Sequence, residues 1–444
     1  MPLPDLIEII PPNQPGRAEI TVPGSKSITN RALVLAALSD GETILHGALW
    51  SEDTQVMVEC LRELGFMVNV KDDPQEPSNR TITVYGQGGK VLRGGTVEQP
   101  LEIFVGNAGT AARFLLAMVC LGQGVYRLHG LPRMHERPQA ALFQALRELG
   151  YRLESANDKL PALVHGAGPR AARCRVSIEE SSQFASALLL CARAGQWQVA
   201  TSGENAEESP YVAMTSKLIA AFPRRGGRFQ IEPDASSASY FWAAGLLLAP
   251  GESLQAAQGQ TSATAASVPA TPAAVTVRAG PASDWQVDSA FPRFLPLPAV
   301  ISRRTDLGDS IMTAVVLAPF MPRPVRFTDL GRLRVQECER VAALRTELTR
   351  CGAKVAEDGD TLMVCPSQLH GAVIETYNDH RIAMCFAILG LKVPGIRLQN
   401  PACVKKTFPT FFQKLAALPP HGLGTTILDG QTGQPLGAAE LFAE

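Results

Sequence analysis

The sequence of 444 residues has little that would tie it to metals, membranes or nucleic acid. Its nine cysteines are scattered singly, with no C-x-x-C pair and no His/Cys spacing of a zinc site, so neither a disulfide framework nor a structural metal is indicated. With 41 Lys+Arg against 42 Asp+Glu the formal net charge is -1, which excludes a generally basic surface for nucleic acid or anionic lipid. Cations that hold an anion must therefore be local. No uncharged run reaches membrane-spanning length, and Met1-Pro-Leu-Pro-Asp-Leu-Ile7 has neither a transit-type nor a signal-type composition, so a cytoplasmic location is expected. What is present, 45% hydrophobic and 19% charged residues, describes a globular chain long enough for two or three domains.

The stretch Pro23-Gly-Ser-Lys-Ser-Ile-Thr-Asn-Arg31 runs into the apolar segment Ala32–Leu38 and reads as an anion site. A glycine turn brings Ser25, Lys26 and Ser27 to a helix start, where unpaired backbone N–H groups and the positive dipole end favour phosphate or carboxylate. Arg31 lies one turn beyond Ser27 on the same side. An ordinary capped helix with surface cations would look the same in isolation.

Two recurring units organise the remainder. Leu61-Arg-Glu-Leu-Gly65, Leu146-Arg-Glu-Leu-Gly150 and, more loosely, Leu344–Gly352 each read as a helix end with a glycine stop before a strand, the first helix being capped by Asp53. Six polar clusters open Ala/Leu-rich helices: Gly24–Ser27, Gly106–Thr110, Ser181–Gln183, Asp234–Ser239, Gly308–Ser310 and Asn378–His380. Helices this apolar are buried. Short strands are expected at Ile7–Ile10, Ala18–Val22, Phe66–Val70 and Val275–Val277, a mobile insertion at 255–274, and a peripheral tail after Pro419-Pro420. Crossovers between domains are expected near Val22-Pro23 and Ile231–Asp234.

Cations adjoin these helix starts: Lys26, Arg31, Arg113, Arg137, Arg340, Arg381 and Lys406. Each dipole end contributes only about 0.3–1 kcal/mol toward an anion, so charge-assisted bonds of about 1.5–3 kcal/mol each must do most of the binding. Asp309 at a helix start and Glu337 three residues before Arg340 are candidate acid–base groups, although a plain N-cap and an intrahelical ion pair would give the same pattern. His135 and His380 are further candidates for an acid.

Pro23-Gly-Ser-Lys-Ser27, Gly106-Asn-Ala-Gly-Thr-Ala-Ala-Arg113, Pro132-Arg-Met-His-Glu-Arg-Pro138, Asp234-Ala-Ser-Ser-Ala-Ser-Tyr240, Tyr377-Asn-Asp-His-Arg381 and Lys406-Thr-Phe-Pro409 resemble, in order, the motifs of the 5-enolpyruvylshikimate-3-phosphate synthase family. The resemblance covers nearly the whole chain, and six motifs in sequence are specific where one would not be. It implies an α/β fold of two domains, each of three βαβαββ repeats in an inside-out barrel. One domain would be 23–232, carrying most shikimate phosphate contacts, and the other 1–22 plus 233–444, with helix N-termini facing an interdomain cleft. It implies that phosphoenolpyruvate is bound by Lys26, Gly109, Arg137, Gln183, Arg340, Arg381 and Lys406. Shikimate 3-phosphate would lie against Lys26, Ser27, Arg31, Ser181, Ser182, Gln183, Tyr211, Asp309 and Gln336. Lys26, Asp309 and Glu337 would be catalytic, with Asp309 helping to deprotonate the acceptor's 5-hydroxyl and Glu337 or Lys26 protonating C3 of the donor. The implied enzyme is a monomer with two small-molecule substrates, no metal or organic cofactor, and no nucleic-acid or membrane partner.

Three positions depart from the family pattern. Gln336 stands where the family usually has lysine, Arg332 where it has asparagine, and Glu208 where a serine precedes Pro210-Tyr211. All three fall on the shikimate phosphate side. A sister transferase that uses a UDP-amino sugar would carry a reactive cysteine in the loop Leu131–Pro138, which has none. A non-catalytic metabolite-binding relative is the other alternative, against which the retention of both Asp309 and Glu337 stands.

Overall fold

The computed structural model describes residues 3–13, 16–203, 209–249 and 275–443. Glu208 and the segment 255–274 lie outside the described residues. The chain divides into two compact units, one made of Met1–Val22 with Asp234–Glu444 (the discontinuous unit) and one of Pro23–Pro233 (the inserted unit).

The inserted unit holds α1 (Lys26–Leu38), α2 (Glu52–Glu63), α3 (Gly109–Val119), α4 (Pro132–Glu136), α5 (Ala140–Glu148), α6 (Ser182–Gly195) and α7 (Ser209–Ala221). The discontinuous unit holds α8 (Ala235–Leu248), α9 (Ile311–Leu317), α10 (Arg340–Arg350), α11 (His380–Gly390) and α12 (Phe411–Ala416). All six polar clusters open helices as expected. Every residue of α3 is buried, as is nearly all of α11, so both are apolar on every side.

Each unit carries three sheets among the described residues. In the inserted unit the strands Leu101–Phe104, Gln123–His129, Ala162–Ala167 and Arg152–Glu154 lie side by side in that spatial order, the first pair parallel and the others antiparallel. The discontinuous unit repeats the pattern with Val300–Ser302, Val325–Thr328, Thr361–Cys365 and Lys354–Asp358. In both copies a buried helix, α3 or α9, connects the parallel pair, as a parallel crossover requires. Two more sheets share the order with strands drawn from distant parts of the chain. One is Val373–Ile374, Ile396–Gln399, Leu6–Ile10 and Thr426–Asp429. The C-terminal segment is therefore not a peripheral tail: Thr426–Asp429 pairs the otherwise free edge of Leu6–Ile10, and Leu441 and Ala443 beyond it are buried.

The glycine stops share one geometry. Gly65, Gly150 and Gly352 have φ of 95°, 88° and 90°, and the residue after each donates to a carbonyl five positions back: Phe66 to Leu61, Tyr151 to Leu146 and Ala353 to Leu348. Glycine reaches this left-handed turn without the Cβ penalty, which is why the same short sequence recurs before each strand. The start of α2 differs from expectation. Ser51 is its N-cap residue, with the Ser51 N–H donating to Thr54 Oγ1 at 2.8 Å, which leaves Asp53 inside the first turn.

Candidate active site

In the discontinuous unit the loop Gly308–Ser310 entering α9 is pinned from below by Asp288, which is buried. The Asp288 carboxylate accepts from the Gly308 N–H at 2.7 Å and the Ser310 hydroxyl at 2.7 Å, and also from Ser236. Burial shifts its pKa upward from the ordinary aspartate value. The adjacent Asp309 is turned the other way, into cations. Its oxygens stand 3.2 Å from Arg381 Nη2, 3.3 Å from Arg303 Nη2 and 3.8 Å from Arg340 Nη1. Burial alone would raise the Asp309 pKa, but the charges of Arg381, Arg340 and Arg303 outweigh it and hold the carboxyl well below its usual range.

Arg340 joins this pair of groups to Glu337. Its guanidinium is 1% exposed and meets Glu337 Oε2 at 2.9 Å, and it forms a two-point contact with Asp379 at 2.7 and 3.2 Å. Such fork geometry fixes orientation as well as charge. Asp379 also caps α11 by accepting from the Arg381 N–H at 2.8 Å, so one buried carboxylate positions both arginines. Lys406 Nζ stands 3.5 Å from the other oxygen of Glu337. Four cations thus meet the carboxylates of Asp309, Glu337 and Asp379 in one cluster, with the Asp288 carboxylate behind it, and the guanidinium and ammonium donors gathered there are of the kind that take up an anion.

The inserted unit presents a second cationic group at helix starts. Lys26, at the first position of α1, is 3.1 Å from buried Asp53. At the start of α3, Gly109 lies under two guanidiniums. A Cβ there would stand 2.7 Å from Arg113 Nη1 and 2.8 Å from Arg137 Nη2, so glycine leaves room for both guanidiniums beside this helix start. Arg113 donates to Gln183 Oε1 at 2.7 Å, and Arg137 to the Asn107 carbonyl at 3.3 Å. Ser181 caps α6, with Ser182 buried beside it. Arg31 is also buried: it donates to Thr215 Oγ1 at 2.8 Å, Ser186 Oγ at 3.0 Å and the Ser27 carbonyl at 2.9 Å, tying α1 to α6 and α7. Tyr211 lies in the first turn of α7 and its carbonyl accepts from Thr215.

Several readings of individual residues need amendment. Glu337 and Arg340 do meet, but not along a helix, since Glu339 caps α10 and Glu337 lies in the irregular stretch before it. The loop at 131–138 contains the short helix α4, within which His135 Nε2 accepts from the Gly130 N–H and so serves the turn. His380 is buried in the first turn of α11. Asp288 and Arg303 carry no signal in the sequence, and Asp53 and Asp379 stand out there only as helix caps, Asp379 within Asn378-Asp-His380.

A family model described as EPSP synthase (3-phosphoshikimate 1-carboxyvinyltransferase) matches residues 10–415. The chain belongs to the EPSP synthase family. A curated relative from Opitutus terrae, named 3-phosphoshikimate 1-carboxyvinyltransferase, is 37% identical over 94% of this chain and 98% of its own. One from Trichormus variabilis with the same name is 35% identical over 92% and 98%. Among solved structures, an EPSP synthase from Acinetobacter baumannii superposes with a TM-score of 0.71 at 19% identity over 95% of this chain and 99% of that one. The enolpyruvyl transferase NikO from Streptomyces tendae gives 0.64 at 17% over 96% and 99%. At these identities the structures speak for the two-domain enolpyruvyl transferase fold alone.

Within the EPSP synthase family pattern the altered positions can now be placed. Gln336 Oε1 accepts from Arg340 Nη1, which turns the amide into the carboxylate–arginine cluster. Gly331–Val335 is a 3-10 turn ending before Gln336. Gln336 itself lies outside helical geometry (φ -92°, ψ -133°), so Arg332 and Gln336 do not sit one turn apart on a helical face as a continuous α-helix would have placed them.

Proposed function

We propose that the chain transfers the enolpyruvyl group of phosphoenolpyruvate to the 5-hydroxyl of shikimate 3-phosphate and releases phosphate, a step of the shikimate pathway toward chorismate and the aromatic amino acids. The observation that carries this reading is the shared arginine: Asp309 and Glu337 both face Arg340, with Arg381 and Lys406 alongside. Addition followed by elimination needs a base, an acid and fixed cations for the departing phosphate, and this cluster holds all three.

In this reading Arg340, Arg381 and Lys406, with Lys26, Gly109, Arg137 and Gln183, bind phosphoenolpyruvate. Lys26, Ser27, Arg31, Ser181, Ser182, Gln183, Tyr211, Asp309 and Gln336 receive shikimate 3-phosphate. The acceptor oxygen forms its bond to C2 of the donor as its proton passes to Asp309, and C3 takes a proton from Glu337 or Lys26. The same residue then takes a proton back from C3, which restores the C2–C3 double bond as the C2–O bond to phosphate breaks and phosphate leaves. Asp309 in its unliganded surroundings is ionised but a weak base. Donor anions on Arg340 and Arg381 offset their charge, which raises the basicity of Asp309 when substrate is in place. The monomeric, cytoplasmic form expected from the sequence belongs to the same proposal.

Incubation with phosphoenolpyruvate and either shikimate 3-phosphate or a UDP-amino sugar tests the reading through phosphate release. Release with the first acceptor alone is expected. Release with only the second, or with neither, would overturn it.

A further inference from the structure

The inserted unit contains a half-open cavity of about 610 Å³ far from the helix starts described above. It lies where α1, α6 and α7 end, and α1 alone is thirteen residues long, so roughly 20 Å of helix separates it from Lys26. Leu35, Leu38, Leu189, Ile219 and Phe222 supply an apolar lining. Lys90, Arg193, Arg224 and Arg225, all exposed, add four cations, and among the described residues none of the four is paired with a carboxylate. The walls are tied together: the Asp40 N–H donates to the Arg224 carbonyl at 3.2 Å and the Gly88 N–H to the Ser39 carbonyl at 2.7 Å.

A simple account would have the cations neutralise the helix ends. Each of three helix C-termini carries about half a negative charge, and Asp40 one more, against four positive charges. The remainder is an excess of about one and a half positive charges over a wall of leucine, isoleucine and phenylalanine. We propose that this cavity binds an amphipathic organic anion, a hydrocarbon or aromatic body bearing one or two carboxylate, sulfonate or phosphate groups. Its volume lies within the range of ordinary small-molecule sites, and its combination of apolar wall and cations selects that class over sugars or inorganic anions.

Anilinonaphthalene sulfonate, an aromatic sulfonate whose fluorescence rises in apolar surroundings, is the probe. Titration of the full chain should show one saturable site that shikimate 3-phosphate does not displace. Replacing Arg193→Glu and Arg224→Glu together should weaken binding by at least about tenfold, the scale of one lost charge-assisted bond, while neutral phenylnaphthylamine binds as before. Unchanged phosphate release by this variant shows that it is folded, and Lys90→Glu, on a different segment, gives the same reading should the double variant fail. Equal affinity in the native chain and these variants, displacement of the probe by shikimate 3-phosphate, or no saturable binding would overturn the proposal. Failure of the enolpyruvyl transfer reading leaves this test intact, because the probe titration does not depend on turnover.

Discussion

Asp309 owes its ionised state to the three guanidiniums around it, and two consequences can be measured. Asp309→Asn and Glu337→Gln should each fold and each lower turnover by at least about 100-fold, the usual scale for a general acid or base. Near-normal turnover in both would remove them from the chemistry. The second consequence concerns pH. The folded-state pKa of Asp309 is depressed, so its stabilising contribution is present above the unfolded value near 4 and is lost as pH falls through the lower folded value. Denaturant titrations should therefore find a stability gap between the native chain and Asp309→Asn that is constant above about pH 5 and narrows below about pH 4. A gap independent of pH would contradict the assignment. At this scale the sequence supplied Asp309, Glu337 and the surrounding cations, because charged residues beside helix starts stand out. Arg303 and Asp288 were not legible, since their roles come from chain segments brought together only by folding.

The helix start is the element that recurs in both units, and Gly109 is where it is most constrained. Gly109→Ala places a methyl against Arg113 and Arg137, which can move because they are flexible side-chain ends, so the fold should survive. The Michaelis constant for phosphoenolpyruvate should rise by about tenfold, the equivalent of one charge-assisted bond, with that for shikimate 3-phosphate nearly unchanged. An unchanged value for phosphoenolpyruvate would separate this helix start from donor binding. The turn at 331–335 gives the opposite expectation. A continuous α-helix would put Arg332 one turn before Gln336 on the same face, where it could replace the missing charge, but the 3-10 turn stops at Val335 and Gln336 is not helical. Arg332→Asn should therefore leave acceptor kinetics within about twofold, since the shared helical face that compensation requires is absent. A large rise in the acceptor's Michaelis constant would restore the compensating role. Helix starts were readable because polar caps before Ala/Leu runs have few alternatives, whereas the choice between 3-10 and α in a short, charged stretch depends on tertiary contacts.

The whole molecule is built from one repeated strand–helix pattern, and the repeated glycine stops made that visible in the sequence. Pairing of Leu6–Ile10 with Thr426–Asp429 was not, because strands from opposite ends of the chain leave no local periodicity linking them. The inserted unit begins and ends at one place, with the Ser25 N–H donating to the Glu232 carbonyl at 2.8 Å. Residues 23–233 expressed alone should accordingly unfold cooperatively yet release no phosphate, as they lack Asp309 and Glu337. A non-cooperative transition would show that the unit depends on the remainder of the chain. The central claim, that this cluster of carboxylates and arginines drives enolpyruvyl transfer, is tested most directly by phosphate release in a single turnover. Native chain, Asp309→Asn and Glu337→Gln are each mixed with phosphoenolpyruvate and saturating shikimate 3-phosphate. Rapid release by the native chain and slow release by both variants is the predicted result; equal rates in all three, or no release by the native chain, would contradict it.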